Sequence, residues 1–404
     1  MKPAVIKLWT GIGAYSLTQG LVWAVPAPEA FSQGMGGQNP ACQPVVVSEG
    51  GEGGEGGEGA ARPRYKPAPA NQRLRDPKVL AGIVEGFVNH VVIPNYQALE
   101  QSTADLNEAV QVLVRDPKPE TLAAARDAFR RSRVIWEESE AFAFGPAATL
   151  GLDGALDEWP LDEGEVVAVL PGSGSLTPEK AAELPDGLRG YHAVGFLLFG
   201  SQNNKSLADF TPQDYAYLKV VTPVLAKTAQ TLRQTWTDGV DAFPAYGKVM
   251  TTAGNQNAVY SSVGAAVQEI VQGMIDLADE LGNIKIGEAV DAQNPFLLEG
   301  RFADHSLEEF AANLDSIANI YMGRYGSQKP AQISLSSVLS QRQPRLHQKI
   351  MDGLARSRSA LAQIPAPIEQ SLCQAQDPIR AAQREILALL AVLSDELMPL
   401  VVPE

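Results

Sequence analysis

Helix-starting dipeptides constrain the fold of this chain more than any other feature of its sequence. Each places a side chain that can cap a helix directly before a proline, whose fixed φ suits the first helical position. The four dipeptides are Asp76-Pro77, Asp116-Pro117, Thr211-Pro212 and Asp377-Pro378. Long stretches such as 257–281 and 376–399 carry apolar residues three and four apart, which is typical of helices with one buried face. No stretch alternates as a strand would, so the sequence predicts an all-α protein.

The helical stretches fall into two groups of four. The first group is 77–115, 117–143, 187–200 and 212–238, and the second is 257–281, 305–323, 341–362 and 376–399. Each group suits a four-helix bundle. We therefore predict two packed bundles, 73–245 and 246–404, joined through a connection near 239–256.

Several residues predict where these helices bend, begin or end. Pro94 should kink the first helix, and Gly282 should end the helix at 257–281. Two pairs have the three-residue spacing of a capping box, namely Thr211 with Asp214 and Ser306 with Glu309. The loops 144–186 and 282–304 are longer than a bundle needs, and long loops in compact domains are often functional.

The N-terminus has the pattern of an export signal, predicted at residues 1–28. Lys2 and Lys7 supply positive charge, and Leu8 to Val25 is apolar without a charged residue. An uncleaved membrane anchor is the alternative, because this run approaches the ~18 residues that allow spanning. Residues 29–72 are rich in Gly, Glu and Pro and predict a disordered linker. Export would permit Cys42 and Cys373 to pair.

The formal net charge of −15 indicates what kind of partner the chain does not bind. An acidic surface repels nucleic-acid backbones and anionic membranes but suits cations, metal ions included. We expect no nucleic-acid partner, and membrane association only through an uncleaved N-terminus. No His-Glu-x-x-His or Gly-x-Ser-x-Gly motif of the common hydrolases is present.

Four segments, in this order, resemble those of a known family. They are WEESEAFAFGP at 136–146, DGALDEWPLDE at 153–163, GYHAVGFLLFG at 190–200 and FADHS at 302–306. Together they resemble the imelysin-like family, which includes iron-regulated proteins and the domain once called an M75 peptidase. The resemblance covers about residues 75–400 and implies two helical bundles packed together. One position departs from it: Gly195 stands where the family's Gly-x-His-x-x-Glu motif has Glu.

His192 is the first candidate metal ligand. A helix carrying Glu140 precedes an acidic loop that carries Asp157, and the chain then returns to His192. Imidazole with carboxylates suits iron, zinc or manganese. Because Gly195 removes the second ligand of the motif, two interpretations stay open. Another acid, with Glu140 the best candidate, completes the site, or metal binding is lost and His192 is a hydrogen-bonded core residue.

Two aspartates in the acidic loop support a cation nearby. Asp153 and Asp157 would share one face of a helix and repel each other unless a cation or an arginine lay between them. Trp159 is expected to anchor the loop by packing.

A second candidate group precedes the predicted helix at 305–323. It contains Glu299, Arg301, Asp304 and His305. Asp304 suits a simple helix-capping role, because a carboxylate is favoured at the positive end of a helix. The resemblance places this segment against the His192 helix, in a pocket between the bundles, where Asp304 and His305 would be direct or indirect ligands.

The resemblance also implies a function. It predicts a periplasmic or cell-envelope binding protein associated with uptake of iron or another divalent cation, with other envelope uptake proteins as partners. The expected ion is iron first, divalent or ferric, then zinc or calcium. The alternatives are an M75-type metallopeptidase and a metal-free scaffold or glycan-binding module. The metallopeptidase is the first of these alternatives, although Gly195 replaces the best candidate for a general base.

Overall fold

The computed structural model describes residues 65–402, so the predicted signal at 1–28, most of the linker at 29–72, and Cys42 lie outside the described residues. Residues 65–72, which fall in the predicted linker, lie against the C-terminal end of the chain. The backbone N–H of Ala68 donates to the carbonyl of Pro399, and that of Leu74 donates to Leu400, each over 2.9 Å. Cys373 is disulfide-bonded.

The described part of the chain is helical, and its β-pairing is a single isolated bridge between Val240 and Phe243. The α-helices are α1 Pro77–Phe87, α2 Ile93–Arg115, α3 Pro119–Glu137, α4 Pro146–Thr149, α5 Leu152–Asp157, α6 Glu163–Val169, α7 Pro178–Ala181, α8 Tyr191–Phe199, α9 Pro212–Thr237, α10 Tyr246–Thr251, α11 Val263–Asp279, α12 Gly287–Asp291, α13 Ser306–Met322, α14 Leu335–Arg342, α15 Pro344–Leu361, α16 Ile368–Ser371, α17 Gln376–Val392 and α18 Met398–Val401. The all-α prediction is confirmed.

Three short π-helical turns extend the long helices. They are Val88–Val92, Glu280–Lys285 and Leu393–Leu397. The first joins α1 to α2 directly before Pro94, whose missing N–H and ring disturb the regular ladder at the place where we predicted a kink. The second contains Gly282, so the prediction that this glycine ends the helix is wrong.

The helix starts agree only in part with the predicted caps. Thr211 and Asp214 form the expected capping box, with the Thr211 N–H donating to Asp214 Oδ2 over 2.7 Å. The box predicted for Ser306 and Glu309 is wrong, because Ser306 is already the first residue of α13 and Glu309 turns to an arginine in the core. Asp304 does not cap α13 either, since His305 occupies the N-cap position.

Further α-helices begin away from the predicted dipeptides or lie in the predicted loops. Helix α3 begins at Pro119 rather than Pro117, and α17 begins at Gln376, one residue before Asp377. Short helices α4 to α7 occupy the loop 144–186, and α12 with two 3-10 turns occupies 282–304. Helix α10 lies within the predicted connection at 239–256.

Helix packing brings both halves of the sequence around one interior. Helix α2 packs against α3 and α9, and α15 packs against α17. Helix α13 contacts α3, α11 and α15, while α1 contacts α11. As a result α3, α5, α8, α13 and the segment 280–302 meet in the core. No helix within residues 65–402 has both the length and the apolar composition needed to cross a membrane.

Candidate functional site

Carboxyl groups outnumber cationic side chains in the core where these elements meet. Seven acids interact there with one arginine and one lysine, and we call this group the acidic centre. Its members are Glu137, Glu140, Asp153, Asp157, Glu280, Glu299 and Glu309 with Arg133 and Lys285. Charged groups are costly to bury unless they are paired, so an excess of five carboxyl groups over cations requires protons or a further cation.

Arg133 of α3 occupies one side of the acidic centre, with a side chain only 1% exposed. Its Nη1 and Nη2 donate to Asp157 and Glu137 respectively. Its Nε and Nη2 donate to the two carboxylate oxygens of Glu309 over 3.2 and 3.1 Å. A planar guanidinium can serve several carboxylates at once, so Arg133 joins α3, α5 and α13.

Lys285 occupies the other side, at the end of the π turn that follows α11. Its ammonium group, on a side chain 1% exposed, lies 2.8 Å from Glu299 Oε2, 2.9 Å from Glu140 Oε1 and 3.3 Å from Glu137 Oε2. The amide of Asn313 donates to two of these acids, over 2.8 Å to Glu137 Oε2 and 2.6 Å to Glu140 Oε2. Glu137 therefore contacts both Arg133 and Lys285 and links the two sides.

His192 lies at the Asp157 edge of the acidic centre and is 4% exposed. Its Nε2 is 3.1 Å from Asp157 Oδ1 but is not aligned for a hydrogen bond with any group. Asp157 is held from its other oxygen, Oδ2, by the indole N–H of Trp136 over 2.6 Å. The Trp159 ring covers the imidazole at a centroid distance of 4.6 Å, so Trp159 does anchor the acidic loop.

The acids of the centre differ in how readily they ionise. Burial alone would raise the pKa of Asp157, but the Arg133 guanidinium and His192 hold it well below its usual range. Burial and the neighbouring charge of Asp157 raise the pKa of Asp153 to about 7. Burial raises the pKa of Glu280 to about 7 and that of Glu140 well above its usual value, despite Lys285. Arg133 thus lowers the pKa of Asp157 and that of Glu309, so both are ionised. Burial outweighs Arg133 at Glu137, whose pKa is raised. Asp153 and Glu280 retain protons up to near neutral pH.

The structure gathers most of the predicted site residues but divides them between different surroundings. His192 lies beside Asp157, while Glu140 and Glu299 lie around Lys285. Arg301 is buried but points elsewhere: its Nη2 is 2.5 Å from Glu163 Oε1, and its Nη1 donates to the Ser201 carbonyl over 2.8 Å. Asp304 and His305 line a separate cavity that opens to solvent.

Gly195 does not face the acidic centre. A Cβ atom at this position would lie 3.0 Å from Phe129 Cζ and 3.6 Å from Phe302 Cβ. The side chain of a glutamate here would therefore enter an aromatic cluster and displace Phe129. Glu140 does not substitute for it beside His192, because its carboxylate contacts Lys285 and Asn313.

Sequence reasoning missed six residues of this site, and a signal for some of them was present. Arg133 continues the buried face of α3, in register with Phe129 and Trp136 at steps of four and three. A polar residue in such a register must have buried partners, and Glu309 and Asn313 show the same signal on α13. Lys285 lies in a segment without apolar periodicity, so its burial could not be read from spacing. The six residues are Arg133, Glu137, Glu280, Lys285, Glu309 and Asn313.

Comparison with known proteins places this chain in a family. A family model described as Imelysin matches residues 92–395. The chain belongs to the imelysin family. This imelysin-family chain is 33% identical over 320 residues to iron-regulated protein A of Synechococcus elongatus. The alignment covers 79% of this chain and 86% of that relative.

Two solved imelysin-like structures share the fold. A candidate iron-regulated protein A precursor from Parabacteroides distasonis superposes with a TM-score of 0.73 and 25% identity, over 81% of this chain and 96% of that one. An imelysin-like protein from Psychrobacter arcticum gives a TM-score of 0.66 over 81% of this chain and 97% of that one. At 15% identity the second likeness shows the fold alone.

Proposed function

We propose that this imelysin-family protein is an exported, cell-envelope binding protein linked to iron or another divalent cation, and that the acidic centre holds the ion. The observation that carries the proposal is the group Glu137, Glu140 and Asp157, whose carboxylate oxygens all lie within 4.8 Å of one another. The name of the Synechococcus elongatus relative supports a connection with iron.

The donor set fits a first-row divalent ion. Glu137, Glu140 and Asp157 would supply carboxylate oxygens. His192 is not in that group, but its unpartnered Nε2 lies 3.1 Å from Asp157 Oδ1 and would supply an imidazole nitrogen on the Asp157 side. Carboxylates with imidazole favour iron, manganese or zinc over calcium, which takes oxygen ligands. The bound ion would add positive charge to a centre that has more carboxyl groups than cationic side chains.

Peptidase activity is not proposed as a second function. The acids of the candidate donor set have side chains between 0 and 10% exposed. Trp159 covers the imidazole, and position 195 faces aromatic packing rather than the acids. If the following experiment detects no metal binding, the alternative is a scaffold that has lost the ion.

The metal proposal is tested by elemental analysis of untagged protein, followed by melting of metal-free protein with Fe²⁺, Zn²⁺, Mn²⁺ and Ca²⁺. A ligand at one hundred times its Kd adds about 2.7 kcal/mol of stability. We expect His192→Ala and Asp157→Asn to fold without metal and to lose this stabilisation. The surface variant Glu120→Gln serves as the control because it removes one carboxylate far from the acidic centre.

Two results would reject the metal proposal. One is a melting temperature that none of the four ions changes, together with protein that contains no stoichiometric metal. The other is equal stabilisation of the wild type and both site variants, which would place the ion elsewhere.

The export part of the proposal depends on the N-terminal sequence and has a separate test. We expect the mature protein to begin near residue 25–30 and to be recovered from the cell envelope, because Lys2, Lys7 and the apolar run after them form a cleavable signal. N-terminal sequencing of protein from fractionated cells decides it. Soluble cytoplasmic protein that retains Met1 would contradict export.

A further inference from the structure

A cavity of about 470 Å³, separate from the acidic centre, opens to solvent at the start of α13. We call it the α13 pocket. Its polar lining comes from α3, from the turn after α8, from the first turn of α13 and from α16. These residues are Arg130, Asn203, Asp304, His305, Glu308 and Glu369. The volume lies within the range of about 300–1,000 Å³ typical of small-molecule sites.

Two buried polar atoms of the α13 pocket have no partner within the protein. Glu369 uses Oε1 to accept from the backbone N–H of Ser306 over 3.0 Å, while its Oε2 is buried without a partner. The Nδ1 atom of His305 is also buried and unpartnered, 3.8 Å from the nearest oxygen of Glu309. A buried unpaired polar group costs on the order of 1–3 kcal/mol, so a ligand that donates hydrogen bonds would be stabilised here.

Asp304 is fixed so that one of its oxygens is left for a ligand. Asn203 Nδ2 and Gln370 Nε2 both donate to Asp304 Oδ2, over 3.1 and 3.2 Å. Asn203 and Asp304 both have left-handed backbone conformations, with φ of 52° and 51°. Non-glycine residues rarely adopt this conformation, and such residues gather at ligand sites. The two hydrogen bonds hold the carboxylate while Oδ1 remains available.

The charge of the lining favours a cationic ligand. Asp304, Glu308 and Glu369 place three carboxyl groups around the pocket, against the single guanidinium of Arg130. That guanidinium is engaged by the protein, since its Nε and Nη2 donate to the Ala303 carbonyl over 3.3 and 3.1 Å. Its Nη1 lies 3.7 Å from Asp127. The three carboxyl groups of the lining would therefore repel an anion, and much of the one cationic group is already committed to the protein.

We propose that the α13 pocket binds a small organic cation through a primary ammonium group, held by Asp304 and Glu369 with His305 at the side. A metal ion suits the pocket less well. Among the described residues, no three carboxylate or imidazole groups of this pocket bring ligand atoms within 4.8 Å of one another. An ammonium group on a carbon chain instead fits within the volume and offers N–H donors to the carboxylate acceptors.

Calorimetric titration of the purified protein with 1,4-diaminobutane tests the proposal, with 1,4-butanediol as the uncharged probe of equal length. We expect saturable binding of the diamine only. Asp304→Asn and Glu369→Gln should each weaken it by about tenfold or more, because each removes one carboxylate. Asn is tolerated at a positive φ, and Gln retains an acceptor for the Ser306 N–H, so both variants should fold. Glu120→Gln should bind as the wild type does.

Several results would overturn the proposal. These are equal binding of the diol, absence of diamine binding at millimolar concentration, and variants that bind as the wild type does. Heat from Ca²⁺ that Asp304→Asn removes, without heat from the diamine, would show a metal site instead. The proposal does not depend on the acidic centre, so Asp157→Asn should leave diamine binding unchanged. The two proposals can therefore fail separately.

Discussion

Arg133 is the buried counter-charge of three carboxyl groups in the core, so its removal should be costly. We expect Arg133→Met to lower the free energy of unfolding by about 3–5 kcal/mol, because Asp157, Glu137 and Glu309 would lose their counter-charge while buried. Urea denaturation at neutral pH measures the change. Arg131→Met is the matched control, since Arg131 is the exposed arginine two positions earlier on α3. Equal stability of the two variants would show that Arg133 has no such role.

Asp153 predicts a pH dependence of opposite sign to that of ordinary acids. Its pKa is raised to about 7, so the folded state binds a proton that the unfolded state, with a pKa of about 3.9, releases. The stability that this group contributes is therefore present below pH 4 and lost as the pH rises to 7.

The variant Asp153→Asn should remove this dependence, because the amide resembles the protonated acid. We expect it to match the wild type near pH 3.5 and to be more stable near pH 8, by an amount on the order of 1 kcal/mol for each unit of pKa shift. Urea denaturation of metal-free protein at both values measures it. A variant that is destabilised equally at both would show that Asp153 is ionised throughout.

The sequence identified some residues of the acidic centre through their types and order, and missed others for a physical reason. His192, Glu140, Asp157 and Glu299 all lie in or beside it. Their partners were not evident because helical spacing shows which residues share a face and not which faces meet. The contact between Lys285 and Glu137 spans 148 residues and depends on how α11 packs against α13, which itself packs against α3.

At the scale of elements, α8 explains why position 195 is glycine. A glutamate at this position would match the family motif, but Phe129 Cζ lies 3.0 Å from where a Cβ would be. We expect Gly195→Glu to destabilise the protein by about 1–3 kcal/mol through overpacking and to leave metal affinity unchanged. Thermal melting with and without Fe²⁺ measures both effects, with Gly195→Ala as the smaller step. Tighter metal binding in Gly195→Glu would contradict this packing argument.

Helix positions were predicted well where a single helix obeyed its own periodicity and less well at helix ends. Helix α9 spans Pro212–Thr237 against a prediction of 212–238, because its capping box and proline are local signals. The start of α13 could not be read locally, since Glu309 pairs with Arg133 of another helix instead of closing a capping box. Long-range ion pairs override local capping preferences at such positions.

At the scale of the whole molecule, the acidic centre ties the two predicted domains together. Lys285 and Glu309 lie in the predicted second domain, while Glu137, Glu140 and Arg133 lie in the first. Ion pairs and hydrogen bonds between buried groups cannot survive the unfolding of one partner. The two predicted domains should therefore unfold together, although the sequence analysis divided the chain into two packed bundles.

The positions of the tryptophans make this cooperativity measurable. Trp136, Trp159 and Trp236 all lie in the first predicted domain, and the other two tryptophans, Trp9 and Trp23, lie in the predicted signal. Tryptophan fluorescence of the mature protein therefore reports the first predicted domain, whereas far-ultraviolet circular dichroism reports helices in both. We expect the two urea transitions of the wild type to coincide.

Lys285→Met should shift both transitions to lower urea concentration and lower the free energy of unfolding by about 3–5 kcal/mol. The reason is that three buried carboxylates lose their ammonium partner. Lys349→Met, at an exposed ion pair, should move neither. A helical transition that the fluorescence does not follow would show that the second domain unfolds independently and that the acidic centre does not couple them.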